Sequence, residues 1–111
     1  FVKIKLFDIY MLRRYNQIMI DSFADKETEV IYHQQFSRRL PNSIQKVALR
    51  KLMMIDNAKS LQDLRVPPNN RLELLSGDRK GQYSIRINDQ WRVCFKEKNG
   101  HFYDVTIVDY H

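Results

Sequence analysis

Tyr83-Ser84-Ile85-Arg86-Ile87-Asn88-Asp89-Gln90-Trp91-Arg92-Val93-Cys94-Phe95 is the stretch that decides the fold. Apolar residues alternate on both sides of Asn88-Asp89-Gln90, with Tyr83, Ile85 and Ile87 before it and Trp91, Val93 and Phe95 after it. Strand side chains switch faces at every residue, so each set lies on one face, and a hairpin with Ile85 opposite Val93 buries both sets together. That register makes Asn88-Asp89-Gln90 a three-residue turn. It also sets Arg86 opposite Arg92 on the other face, where like charges repel and removing either one should relieve strain. An anion held between the two would account for them, because arginine offers phosphate a bidentate fork. The alternative is that both are solvated and paired with Asp78, Asp104 or Glu73. For a single arginine that pairing suffices; for a set that includes Arg79 the two readings stand level.

Strands are expected at about 71–75, 82–87, 91–97 and 102–109, an antiparallel meander. The last, Tyr103-Asp104-Val105-Thr106-Ile107-Val108, runs straight into Asp109-Tyr110-His111. A lone histidine at a chain end is ordinarily a frayed surface residue. Here the strand pattern predicts that the end is tied into the sheet. An imidazole that titrates near neutral pH, beside a phenol and a carboxylate, suits proton transfer in RNA cleavage. Tyr110 is placed to stack on an unpaired base.

Before the meander, Val66-Pro67-Pro68-Asn69-Asn70 cannot continue a helix or enter a central strand, and Ser60–Leu64 makes one further turn. From about Asn42, Ile44, Val47, Ala48, Leu52 and Ile55 recur at helical spacing, with Gln45, Lys46 and Arg50 on the other face. This should be the longest helix, and Met53 and Met54 beside it are core or partner-facing filler. Arg38-Arg39-Leu40-Pro41 separates it from an earlier helix expected to run through Phe36, capped by Ser22 or Asp25. Met19-Ile20-Asp21-Ser22-Phe23 suggests a short first strand. The expected class is α+β, with two N-terminal helices on one face of a small antiparallel sheet and the other face exposed.

The 111 residues allow one modest domain. Cys94 is the only cysteine, so no internal disulfide is possible, and a reducing cytoplasm is the natural setting. His33, His101 and His111 are scattered without ligand spacing, so neither a metal nor another cofactor is expected. The net charge of +6 divides as +3 in residues 1–18 (four Lys/Arg, one acid), +2 in 19–70 (eight, six) and +1 in 71–111 (seven, six). Half of the excess lies in the first segment, so bulk charge says little about the rest. That segment is too short and too charged to span a membrane and lacks a signal-cleavage site. Two readings of residues 1–18 are open: a native extension packing as an extra strand or helix, or upstream sequence with Met19 as the start of a single domain 19–111. The second is preferred, because the pattern after Met19 is self-sufficient.

Gly77-Asp78-Arg79 with Gly81-Gln82-Tyr83-Ser84-Ile85-Arg86-Ile87-Asn88-Asp89-Gln90-Trp91-Arg92, preceded by Leu61-Gln62-Asp63-Leu64-Arg65-Val66-Pro67-Pro68 and followed by Asp109-Tyr110-His111, resembles the HigB-type toxins of the RelE/ParE superfamily. The resemblance covers Met19 to His111. It implies a bacterial toxin of a type II toxin–antitoxin pair that cleaves mRNA, typically on the ribosome, through attack of the 2′-hydroxyl on the neighbouring phosphate without metal. It also implies a HigA-type helix-turn-helix antitoxin as partner.

Carried onto this chain, the resemblance makes His111 the general acid or base and gives Arg92 the charge of the phosphorane. Tyr110 and Asp109 would position substrate and imidazole. Arg79, with Arg71, Lys80 and Arg86, would hold the RNA backbone. Some similar proteins have a histidine and a lysine where this chain has Glu73 and Ser76. Either Glu73 serves as a base or His111 acts alone, and the sequence leaves both open. Relatives that poison gyrase without cleaving anything, and a plain RNA-binding module, are the alternative readings.

Overall fold

The computed structural model describes residues 20–110. The expectations for residues 1–18, for Met19 as a start and for His111 lie outside the described residues. Within them, helices α1 (Lys26–Tyr32) and α2 (Asn42–Asn57) precede a four-stranded antiparallel sheet, the expected α+β order. Strands β1 (Glu73–Leu74), β2 (Tyr83–Arg86), β3 (Trp91–Lys98) and β4 (His101–Asp109) lie side by side in chain order.

The hairpin takes the expected register: Ile85 faces Val93 and Arg86 faces Arg92. The Ile87 amide donates to Trp91 O at 2.9 Å, leaving Asn88-Asp89-Gln90 as the turn. Asn88 Oδ1 accepts from the Gln90 and Trp91 amides at 2.9 and 2.8 Å, which is how a short polar side chain stabilises such a loop. The apolar face packs Ile85, Val93, Phe95, Phe102 and Val105 against Ile31, Ile44, Ala48, Leu52 and Ile55. At its centre Phe95 meets Phe102 edge-on at 5.6 Å and stacks on Tyr83 at 6.1 Å. Phe102 and Val105 differ in parity, yet both are buried because Asp104 adopts φ 52 and shifts the register between Cys94 and Lys96.

That irregularity also explains why the expected first strand is reduced to two isolated parallel bridges, Ile20 with Phe102 and Phe23 with Val105. Between them the Asp104 amide donates to Ser22 Oγ at 3.0 Å rather than to backbone. Asp25, not Ser22, caps α1: its carboxylate accepts from the Thr28 amide at 3.1 Å and from Thr106 Oγ1 at 2.7 Å, binding the helix start to β4.

Helix α1 stops at Tyr32, short of the expected Phe36. Gln34 enters the left-handed region at φ 63, and the Gln34 and Gln35 amides turn back to Ile31 O and Val30 O at 2.9 and 3.0 Å. This is a Schellman closure, and it leaves Phe36 62 % exposed. Strand β1 is likewise shorter than expected, because Arg71 is left-handed at φ 47 and cannot join a ladder. The second sheet face departs from expectation too. It is not simply solvated: Leu75, Ser84 and Cys94 are buried there.

Candidate active site

Cross-strand partners share a face, and here Glu73 pairs with Ser84, Ser84 with Cys94, and Arg86 with Arg92, which in turn pairs with Val108. Alternation then puts Glu73, Ser84, Arg86, Arg92, Cys94 and Tyr110 on the face away from the helices. Arg92 is its centre. Its side chain is 12 % exposed, and Nη1 lies 3.5 Å from Glu73 Oε1. Nη2 donates to Arg71 O at 2.6 Å, and the guanidinium carbon sits 5.7 Å from the centroid of the Tyr110 ring. Its Nε is buried without a hydrogen-bond partner among the described residues, as is Ser84 Oγ.

The repulsion anticipated between Arg86 and Arg92 is offset by a carboxylate on each. Arg86 Nη2 bonds Asp89 Oδ1 at 2.7 Å, and that cation holds the Asp89 carboxyl below its usual range. Glu73 was one of the acids anticipated for such a pairing; Asp89 was not. The paired arginines therefore have a local account that requires no bound anion. Arg92 nonetheless lies under an aromatic ring with a polar atom unused.

Of the remaining cations, Arg79 and Arg71 act on residues beside this pair. Arg79 donates to Gln82 Oε1 at 3.2 Å. Both Arg79 and Arg92 act on the Cys94 thiol, whose pKa is nevertheless raised because burial outweighs them. The Arg71 charge reaches Asp89. Lys80 is exposed on the turn after Arg79.

At the end of β4 the Tyr110 amide donates to Gln90 O at 2.7 Å, which fixes the chain beside the hairpin turn. Asp109, one residue earlier, pairs with Trp91 in the ladder, and its carboxylate accepts from Gln90 Nε2 at 3.1 and 3.2 Å. Alternation thus separates Asp109 from Arg92 and Tyr110. The structure brings together Glu73, Arg71, Arg86, Arg92 and Tyr110, with Arg79 acting on Cys94 beside them, and sets Asp109 on the other face.

Sequence reasoning missed Lys51 and Asn70, both buried. Lys51 Nζ donates to Asn70 Oδ1 at 2.6 Å. A signal was available: Ile44, Ala48, Lys51 and Ile55 follow one another at steps of four, three and four, so the lysine stands in the apolar stripe of α2.

Among the described residues no group of three or more His, Cys, Asp or Glu side chains is placed to hold a metal ion, and no helix is long and apolar enough to cross a membrane. Residues 21–111 match the family model described as the RelE-like toxin of type II toxin–antitoxin system HigB. The chain is similar to Toxin HigB-1 of Vibrio cholerae, 44 % identical over 79 residues, covering 70 % of this chain and 83 % of that protein. It is 30 % identical over 93 residues to Endoribonuclease HigB of Proteus vulgaris, covering 84 % of this chain and 100 % of that one. A Haemophilus influenzae protein is 44 % identical over 61 residues, 55 % of this chain and 60 % of its own length.

Proposed function

This chain belongs to the HigB-like family of RelE-like toxins of type II toxin–antitoxin systems, and from that premise we propose that it is an endoribonuclease that cleaves mRNA on the ribosome. Family membership implies an antitoxin partner, which we take to be a small HigA-type helix-turn-helix protein. The observation that carries the reading is the arginine face. Arg92, opposite Arg86, bonded to the Arg71 carbonyl and covered by Tyr110, stands in a chain similar over 84 % of its length to a protein named as an endoribonuclease. A reducing cytoplasm is the compartment in which such a target is met.

The chemistry follows from the groups present. The RNA 2′-oxygen forms a bond to the adjacent phosphorus as the bond from phosphorus to the 5′-oxygen breaks, leaving a 2′,3′-cyclic phosphate and a 5′-hydroxyl. One proton must leave the attacking hydroxyl and one must reach the departing oxygen. His111, next in the chain to Tyr110, is the residue we assign to proton transfer, since an imidazole exchanges protons near neutral pH. Charge accumulates on the non-bridging oxygens at the same moment, and a preorganised guanidinium in a partly dry site stabilises it far more than water does. Arg92 has that role. Tyr110 offers a ring for the splayed base, Arg71, Arg79, Arg86 and Lys80 hold the backbone, and Asp109 orients the end of β4 through Gln90.

The test is product analysis with purified protein and programmed ribosomes, comparing wild type with His111→Ala and Arg92→Ala. Cyclic-phosphate ends from the wild type and neither variant are expected. Growth inhibition by a folded His111→Ala protein would remove the catalytic assignment. Accumulation of relaxed plasmid under gyrase would instead point to a gyrase poison.

A further inference from the structure

Lys51 carries a charge into the core, and among the described residues no carboxylate pairs with it. It is 6 % exposed, its ammonium donates to Asn70 Oδ1 at 2.6 Å, and the charges that act on it, Arg50 and Arg86, are both positive. Burial and those neighbours lower its pKa. An ammonium in such surroundings is costly, and apolar groups in place of it and its partner together often do as well or better. Stability alone therefore does not account for it.

Its partner among the described residues leads to the site. Asn70 is wholly buried, and its Nδ2 donates to Leu64 O at 3.1 Å and to Val66 O at 3.4 Å, while its backbone amide donates to Pro67 O at 2.9 Å. Every polar group of that side chain is thus engaged, which fixes the backbone of the Pro68–Asn70 turn. The next residue, Arg71, sits at φ 47, a conformation that a non-glycine residue holds only when its surroundings impose it. Its carbonyl is then the acceptor for Arg92 Nη2 at 2.6 Å.

We propose that Lys51 and Asn70 are positioning residues for Arg92: the buried pair locks the turn, the turn aims the Arg71 carbonyl, and that carbonyl sets the plane of the guanidinium. The relay joins α2 to the opposite sheet face through residues 51, 70, 71 and 92, which no sequence motif groups together. Its consequence for catalysis rests on the role assigned to Arg92 above, but its consequence for Arg92 itself does not.

Two variants test it. Lys51→Met keeps an unbranched apolar stem and removes the ammonium. Asn70→Asp keeps an oxygen for Lys51 but removes the donor to Leu64 O and Val66 O. Both are examined in the full chain by the Arg92 Nε–Hε resonance in NMR and by single-turnover RNA cleavage, with Arg92→Ala alongside. The expected result for Lys51→Met is a lower melting temperature, because buried Asn70 Oδ1 loses its donor, together with a broadened or shifted Arg92 resonance and a single-turnover rate lower by about tenfold, since small misplacements of a catalytic group are expensive. Asn70→Asp should disturb the same resonance. An Arg92 resonance unchanged in both variants would overturn the relay. Cleavage retained by Arg92→Ala would overturn the catalytic reading and leave the relay to be decided by the resonance.

Discussion

The two faces of the same sheet are built from alternate residues of the same strands and are stabilised in unlike ways. On one, Ile85, Val93 and Phe95 are fully buried against the helices, and shape and apolar area are all that matter. On the other, Arg86 and Arg92 are held by hydrogen bonds and carboxylates, and Ser84 Oγ and Arg92 Nε have no hydrogen-bond partner among the described residues. Well-satisfied polar groups are the rule in folded proteins, so the unsatisfied ones set this face apart from the other and are what the proposed RNA-binding role would use. Neighbouring residues of β3 should therefore fail in different ways when substituted.

The largest effect is expected on the apolar face. Phe95→Ala should cost about 3–5 kcal/mol, measured as a fall in the urea midpoint, because the aromatic cluster with Tyr83 and Phe102 cannot collapse into the space. An unchanged midpoint with lost cleavage would erase the distinction between the faces. Arg92→Ala should do the reverse, lowering cleavage about 10²- to 10³-fold while costing only about 1 kcal/mol through the lost bond to Arg71 O. The facing cations taken alone predict a rise in stability for that variant; the Glu73 and Arg71 contacts predict a fall.

Arg86→Ala should matter less. Its acid partner Asp89 is fully exposed, so melting should hardly move, and cleavage should fall by a smaller factor than for Arg92→Ala.

The smallest effect separates the two faces by pH. Burial raises the Cys94 thiol above its ordinary 9.0, so above that pH the unfolded chain gives up a proton that the folded one keeps, and stability falls. Burial lowers Lys51 below 10.5, so the folded chain gives up its proton first, and stability rises with pH in the window below 10.5. The slopes oppose each other. Between pH 8 and 10.5, denaturation curves of Cys94→Ala should tilt upward relative to wild type, and those of Lys51→Met downward; parallel curves would mean that neither group titrates in the fold.

What the chain reveals without coordinates is whatever depends on period and local chemistry. The alternation around Asn88-Asp89-Gln90 specified the hairpin register, including the opposition of Arg86 and Arg92, because a slip of one residue would turn the whole apolar set to solvent. The stripe from Ile44 to Ile55 specified α2, and the Gly-Asp-Arg, Trp-Arg and Asp-Tyr-His signatures specified the family. Element ends were less legible. Gln34, Arg71 and Asp104 all adopt positive φ although none is glycine, and no propensity announces that. Only the tertiary structure decided which of the anticipated acids, Glu73, reaches Arg92, that Asp109 bonds Gln90, and that Lys51 reaches Asn70 behind Arg71. Those are meetings between residues 19 positions apart. They depend on how layers pack, and packing is a property of the folded surfaces rather than of any local pattern.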